Sequence, residues 1–200
     1  MFRAKPMAEP EVSAVVVTHN AAPWIERSLG SVRGTGAEVI VVDNASTDGT
    51  PDLVREGFPE ARLIEQDNRG FGAGNNTGMR AGAGRYFLLL NPDAWLMDGA
   101  LGAMVSFADE HPEAAVVGPR LLNPDGTLQR SVRGYPSPWR IATEYFFLRK
   151  LAPHSRALNA FFGEQFDHET VRRPSTSSAR ACWCVARRWT RSAASTRTSS

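Results

Sequence analysis

Three short apolar runs constrain this chain more than anything else in it: residues 12–18 (VSAVVVT), 38–42 (EVIVV) and 85–90 (RYFLLL). Each stops abruptly at polar residues, the first at His19 and Asn20, the second at Asp43 and Asn44, the third at Asn91, Pro92 and Asp93. Short runs with so little polar alternation read as strands buried on both faces, the habit of parallel sheets covered by helices.

Between these runs the spacing becomes helical. Pro23 suits a first helical position, and Trp24, Ile25, Leu29 and Val32 follow at helical intervals until Gly34 and Gly36. Thr50 before Pro51 predicts the cap of a short helix reaching about Gly57. Residues 62–65 form a further strand, and the run NRGFGAGNNTGMRAGAG, with six glycines, reads as a loop and helix start. Leu101, Met104, Val105 and Ala108 give a helix over 98–111 its apolar face, with a strand at 114–117 behind it and an NPDG turn at 123–126. Strands alternating with helices predict an α/β fold with a mainly parallel sheet and helices on both faces. At 200 residues, one such domain buries a sufficient core without disulfides or metals.

Charge divides the chain. Residues 171–200 hold seven arginines and no Asp, Glu or Lys, so the tail stands at +7, whereas residues 1–170 carry 16 Lys and Arg against 21 Asp and Glu, a balance of −5. With seven Ser and four Thr and no periodicity, the tail is expected to lie outside the fold, and 1–11 to be an N-terminal extension of a domain over 12–170. The arginines lack the aromatic interleaving of a nucleic-acid surface, so nucleic acid is not an expected partner. Cys182 and Cys184 are too close for an easy disulfide and lack further zinc ligands, which makes them incidental. The N-terminal residues lack the apolar core of a signal peptide, and no run is long enough to span a bilayer, so a cytoplasmic protein is expected. The segment 139–151 (WRIATEYFFLRKL) is better suited to packing on the domain than to resting on a membrane, although it has the composition for peripheral contact.

In open α/β sheets ligands collect at the carboxyl ends of the strands, where this chain places Thr18-His19-Asn20, Asp43-Asn44 and Asn91-Pro92-Asp93. A carboxylate there accepts hydrogen bonds from a base or ribose, or holds a divalent cation near a diphosphate. Taken singly, Asp43 and Asp93 also read as ordinary turn or helix caps.

The segments VSAVVVTHN, VIVVDNASTDGT, NRGFGAGNNTGM and YFLLLNPDA, in that order over about residues 12–135, resemble an inverting family 2 glycosyltransferase of the GT-A fold. The LNPD end and the long FGAGNN stretch are similar to bacterial rhamnosyltransferases that use a deoxythymidine-diphosphate sugar. The resemblance implies that Thr18, His19 and Asn20 line a nucleotide pocket, that Asp43 with Asn44 contacts the base or ribose, and that Asp93 binds a metal, Mn2+ or Mg2+. The family's Asp-x-Asp is here Asn91-Pro92-Asp93, so Asn91 contributes at most a carbonyl oxygen. Gly74, Asn75 and Asn76, in a loop over 70–78, are expected to let the backbone approach the nucleotide before a helix whose N-terminus faces phosphate. The implied partners are a nucleotide-sugar donor and a cell-envelope glycan or polyprenyl-linked acceptor at the inner face of the membrane.

The family takes its catalytic base from an acidic stretch, resembling GGFDEDFF, well downstream of the metal site. No such stretch is present, and Asp167 and Glu169 do not match it, so no base is assigned. Back-translated with GC-rich codons and shifted by one frame, residues 182–198 can read VLVRREAVDAVGGFDED. The expectation is a fold truncated at its C-terminus by a change of reading frame. Two alternatives are a non-catalytic nucleotide-sugar-binding fragment and a sugar-phosphate nucleotidyltransferase. The latter is disfavoured because no glycine-rich loop bearing Arg and Lys follows the first strand.

Overall fold

The computed structural model describes residues 10–129 and, further on, the backbone of three short strands at 132–133, 176–177 and 184–187. The described residues fall into two compact units, one running to Val117 and including the strand at 184–187, the other lying within Gly118–Cys182.

The first unit is built on strand β1, Val12–Thr18, all seven residues of which are buried. Helix α1, Ile25–Val32, buries Ile25, Ser28, Leu29 and Val32 along one stripe. It starts two residues beyond Pro23, because residues 21–24 are held in a turn in which Ala21 O accepts from Trp24 N (2.9 Å) and Ile25 N (3.0 Å). Strand β2, Glu38–Asn44, follows, then helix α2, Thr50–Gly57. Thr50 is not its cap. Gly49, at φ 86°, occupies that position, and the Thr50 hydroxyl serves the loop before it, donating to Asp48 Oδ1 at 2.5 Å.

Strand β3, Arg62–Gln66, leads to helix α3, Phe71–Ala81. The glycine-rich run is therefore helix from Phe71 onward, and the expected loop shrinks to the residues before it. The reason is packing: a Cβ on Gly74 would lie 2.6 Å from Val17 Cγ1, and one on Gly78 only 2.2 Å from Val15 Cγ1. These glycines let a helix lie directly on β1. Strand β4, Tyr86–Leu90, helix α4, Ala100–Glu110, and strand β5, Val116–Val117, complete the run.

Strands β1 to β4 are parallel, in the order β3-β2-β1-β4. On the α3 side, Val15, Val17, Ile40, Val42 and Phe87 form a core with Ile64, Met79, Ala81 and Leu89 packed against it. Burying each of the five valine, isoleucine and phenylalanine side chains of this core contributes about 1.5–3 kcal/mol. At the amino edge Glu38 Oε2 accepts from Ser13 Oγ (2.6 Å) and Ala83 N (2.9 Å), fastening the start of β4 to β1 and β2.

The arginine-rich segment departs from expectation at Cys184–Arg187. These residues form a strand, which we number β8, antiparallel to both β4 and β5 and lying between them. Composition averaged over thirty residues hides a four-residue strand, and β4 and β5 present backbone groups that need a partner on that side. The remainder of the tail and of the frame-shift reading lies outside the described residues, as do segment 139–151, Asp167 and Glu169.

In the second unit the NPDG turn is present: Asn123 N donates to Thr127 O (2.8 Å), Gly126 has φ 81°, and Leu122 pairs with Leu128. Strands β6, Val132–Arg133, and β7, Thr176–Ser177, pair antiparallel. Among the described residues no helix is long and apolar enough to cross a membrane.

Candidate functional site

Because β1 to β4 are parallel, their carboxyl ends share one edge. Register puts Thr18 opposite Asp43 and Val16 opposite Leu90, so the chain leaves the sheet close together at residues 19, 44 and 91. The strand order also reverses direction between β1 and β4, the point at which α/β sheets open a ligand crevice.

Asp43 is as deeply buried on this edge as Thr18, both at 1% exposure. Its Oδ1 accepts from Thr18 Oγ1 (2.7 Å) and Ser46 Oγ (2.5 Å), and its Oδ2 from Ser46 N (2.9 Å). A carboxylate offers about four acceptor positions, of which the protein uses three. A buried charge is tolerable because these bonds replace its hydration.

The neighbouring loops are knitted together. His19 Nδ1 donates to Asn44 O at 2.8 Å, which leaves Nε2 as the outward nitrogen of an exposed ring. Asn20 sits in the left-handed region at φ 54°; its amide donates to Ser46 Oγ (2.8 Å) and its Oδ1 accepts from Thr47 N (2.9 Å). Ala21 N donates to Thr50 Oγ1 and Ala22 N to Asp48 Oδ2, both at 2.9 Å. Hydrogen bonds from the Thr50 hydroxyl first, then from the Ala22 and Thr50 amides, hold the Asp48 carboxyl below the usual carboxylate range.

Asn44 faces the other way, toward β3 and α3. Its Oδ1 accepts from Gln66 Nε2 (2.9 Å), and Gln66 Oε1 accepts from Thr77 Oγ1 (3.0 Å). Gly74 and Asn75 are buried in α3, Asn75 donating back to Phe71 O at 3.1 Å, while Asn76 is exposed. Thr18, His19, Asn20, Asp43 and Asn44 thus gather at the carboxyl edge of β1 and β2, with Gly74 of α3 beside Asn44 and β1. Ser46, Thr47, Asp48 and Gln66 were missed by sequence reasoning. Their signal is the density of Ser, Thr and Asp after β2, side chains that bond to nearby backbone.

On the β4 side, Asn91 O accepts from Ser28 Oγ (3.2 Å) and Ala94 N (3.1 Å). Asp93, two residues on, is exposed and makes no hydrogen bond or ion pair among the described residues. No group of three His, Cys, Asp or Glu that could cage a metal occurs among the described residues. Asp93 and Asn91 offer oxygen donors only, one carboxylate and one amide carbonyl, the chemistry that suits a hard cation rather than a soft one.

The glycosyl transferase family 2 model matches residues 13–166. The N-acetylglucosaminyl-diphospho-decaprenol L-rhamnosyltransferase of Mycobacterium tuberculosis is 33% identical over 138 residues, covering 62% of this chain and 45% of that protein. Among solved structures, the mannosyltransferase PcManGT from Pyrobaculum calidifontis, in complex with GDP-Man and Mn2+, superposes with a TM-score of 0.52 at 32% identity, covering 60% of this chain and 38% of that one. TarS residues 1–349 from S. aureus shares the fold, with a TM-score of 0.52 at 24% identity over 65% of this chain and 39% of that one. The chain spans less than half the length of each of these relatives. Its mainly parallel sheet, its carboxyl-edge polar cluster and the match over residues 13–166 agree: the chain belongs to glycosyl transferase family 2.

Proposed function

We propose that the carboxyl edge of this sheet binds a nucleoside-diphosphate sugar, and that the protein transfers the sugar with inversion to a glycan or polyprenyl-linked acceptor at the cytoplasmic face of the membrane. The observation that carries this reading is the placement of two carboxylates, buried Asp43 and exposed Asp93, on either side of the point where strand order reverses. Asp43, already fixed by Thr18 and Ser46, accepts a further hydrogen bond from a base or ribose N–H or O–H. In this reading His19 and Asn20 border the base or ribose, and Asn91 and Asp93 border the diphosphate.

A divalent cation, Mn2+ or Mg2+, would be held by Asp93 and the Asn91 amide oxygen and would neutralise charge developing on the departing nucleoside diphosphate. The base that takes the acceptor hydroxyl's proton is not among the described residues. The M. tuberculosis relative, named an N-acetylglucosaminyl-diphospho-decaprenol L-rhamnosyltransferase, supports L-rhamnose as the donor sugar and a lipid-linked diphosphate as the acceptor; deoxythymidine diphosphate as the carrier follows from the sequence resemblance alone.

Calorimetric titration with deoxythymidine diphosphate and uridine diphosphate, each with and without manganese, tests the reading. Manganese-dependent binding that prefers the deoxythymidine nucleotide is expected. A folded chain that binds neither nucleotide would overturn the assignment.

A further inference from the structure

The segment between β4 and α4, residues 91–99, has no regular structure, yet it carries Asp93. Its own turn is closed by the bond from Ala94 N to Asn91 O. Helix α1 holds the segment at three points. Ser28, 1% exposed, donates to Asn91 O; Ser31 Oγ accepts from Leu96 N at 3.0 Å; and the Arg27 guanidinium carbon lies 3.5 Å from the centre of the Trp95 ring. Two of these contacts fall two residues to either side of Asp93.

Arg27 stands out among the basic groups. Arg33 and Arg85 also lie over aromatic rings, Phe58 and Tyr86, but each pairs with a carboxylate as well, whereas Arg27 makes no ion pair among the described residues and has the indole face as its contact. A planar guanidinium stacks on an aromatic ring in a way that an ammonium group does only in part. Asp93 carries no bond of its own to set its direction, so the fixity of the turn on each side decides how often its carboxylate faces the crevice. Ordering a ligand-binding turn before the ligand arrives lowers the entropic cost of binding.

We propose that Arg27 is a positioning residue: stacked on Trp95, it fixes from α1 the turn that presents Asp93 to the cation and diphosphate. The inference rests on reading the carboxyl edge as a nucleoside-diphosphate site. It assigns Arg27 no contact with the nucleotide, so its effect is confined to the part of the affinity that manganese supplies.

The test is calorimetric titration of the whole chain with uridine and deoxythymidine diphosphates, with and without manganese, on the wild type, Arg27→Ala, Arg27→Lys, Trp95→Ala and the double Ala variant, with thermal melts alongside. Arg27→Ala is expected to weaken manganese-dependent binding roughly three- to tenfold, the range of an ordered cation–π contact. Metal-free affinity should stay at the wild-type value, and the melting temperature should fall by no more than the few degrees that one lost surface contact costs. Arg27→Lys should recover part of the loss, and the double variant should bind no more weakly than the weaker single one, since both remove one contact. Equal losses with and without manganese would overturn the proposal in favour of direct contact with the ligand, and strictly additive losses would overturn it as well. If the wild type shows manganese-dependent binding that Arg27→Ala leaves untouched, this inference falls and the nucleotide-sugar reading stands. If the folded wild type binds neither nucleotide, both fall.

Discussion

Thr18 and Asp43, paired across β1 and β2 and both 1% exposed, share a hydrogen bond of 2.7 Å at the point where the two strands leave the sheet. The buried carboxylate is held by this hydroxyl and by Ser46, so removing either partner strands a desolvated charge. Thr18→Val should cost about 1.5–3 kcal/mol, the worth of a hydrogen bond to a charged group, and Thr18→Ser should recover most of it. Urea unfolding of the two variants checks the prediction, and a Thr18→Val chain as stable as the wild type would contradict it.

Helix α3 lies against β1 only because its glycines leave room. Gly78→Ala places a methyl where Val15 Cγ1 already stands, and a valine cannot swing away as a long side chain would. A cost of about 1–3 kcal/mol is expected, partly relieved when Val15→Ala is added. Gly72→Ala, in the same helix but with nothing within 4 Å, should stabilise by about 0.5–1 kcal/mol. Opposite signs at two glycines six residues apart would be hard to obtain from helix propensity alone.

Much of this fold is legible in the sequence because its signals are local. Residues 12–18 read as a buried strand from their own composition, and 50–57 as a helix from Pro51 and the turn before it. The strand ends carrying Thr18, Asp43 and Asp93 follow from where the apolar runs stop. What stays hidden depends on contacts distant in sequence. The glycines at 74 and 78 look like a loop until Val15 and Val17 are set beneath them. Thr50 looks like a cap until Ala21 is brought to its hydroxyl from 29 residues away. Likewise, no period or spacing relates Arg27 to Trp95, and four residues at 184–187 become a strand only beside β4 and β5.

Asp48 links the loops after β1 and β2, and its carboxyl is held below its ordinary value chiefly by the Thr50 hydroxyl. A group whose folded value is depressed stabilises the fold above its unfolded pKa of about 3.9, and that stabilisation is lost as pH falls through the folded value. Asp48→Asn should therefore melt below the wild type at neutral pH, with the gap narrowing in acid below about pH 4. Melting curves of both chains across that range test the sign: a gap that widens in acid would contradict it.

Asp93 differs from Asp43 in that the fold does not need it. It is exposed and bonds to nothing among the described residues, so Asp93→Ala should change stability by less than about 0.5 kcal/mol. Its proposed role lies wholly with the cation, and the same substitution should abolish the manganese-dependent part of nucleoside-diphosphate affinity while leaving the metal-free part in place. Asp93→Asn separates charge from shape, since an amide keeps one oxygen donor but loses the negative charge that a divalent ion favours. It should retain little of the manganese effect. Titrations of both variants, with melts to confirm folding, decide the matter: manganese-dependent affinity equal to that of the wild type in Asp93→Ala would move the cation site away from the end of β4.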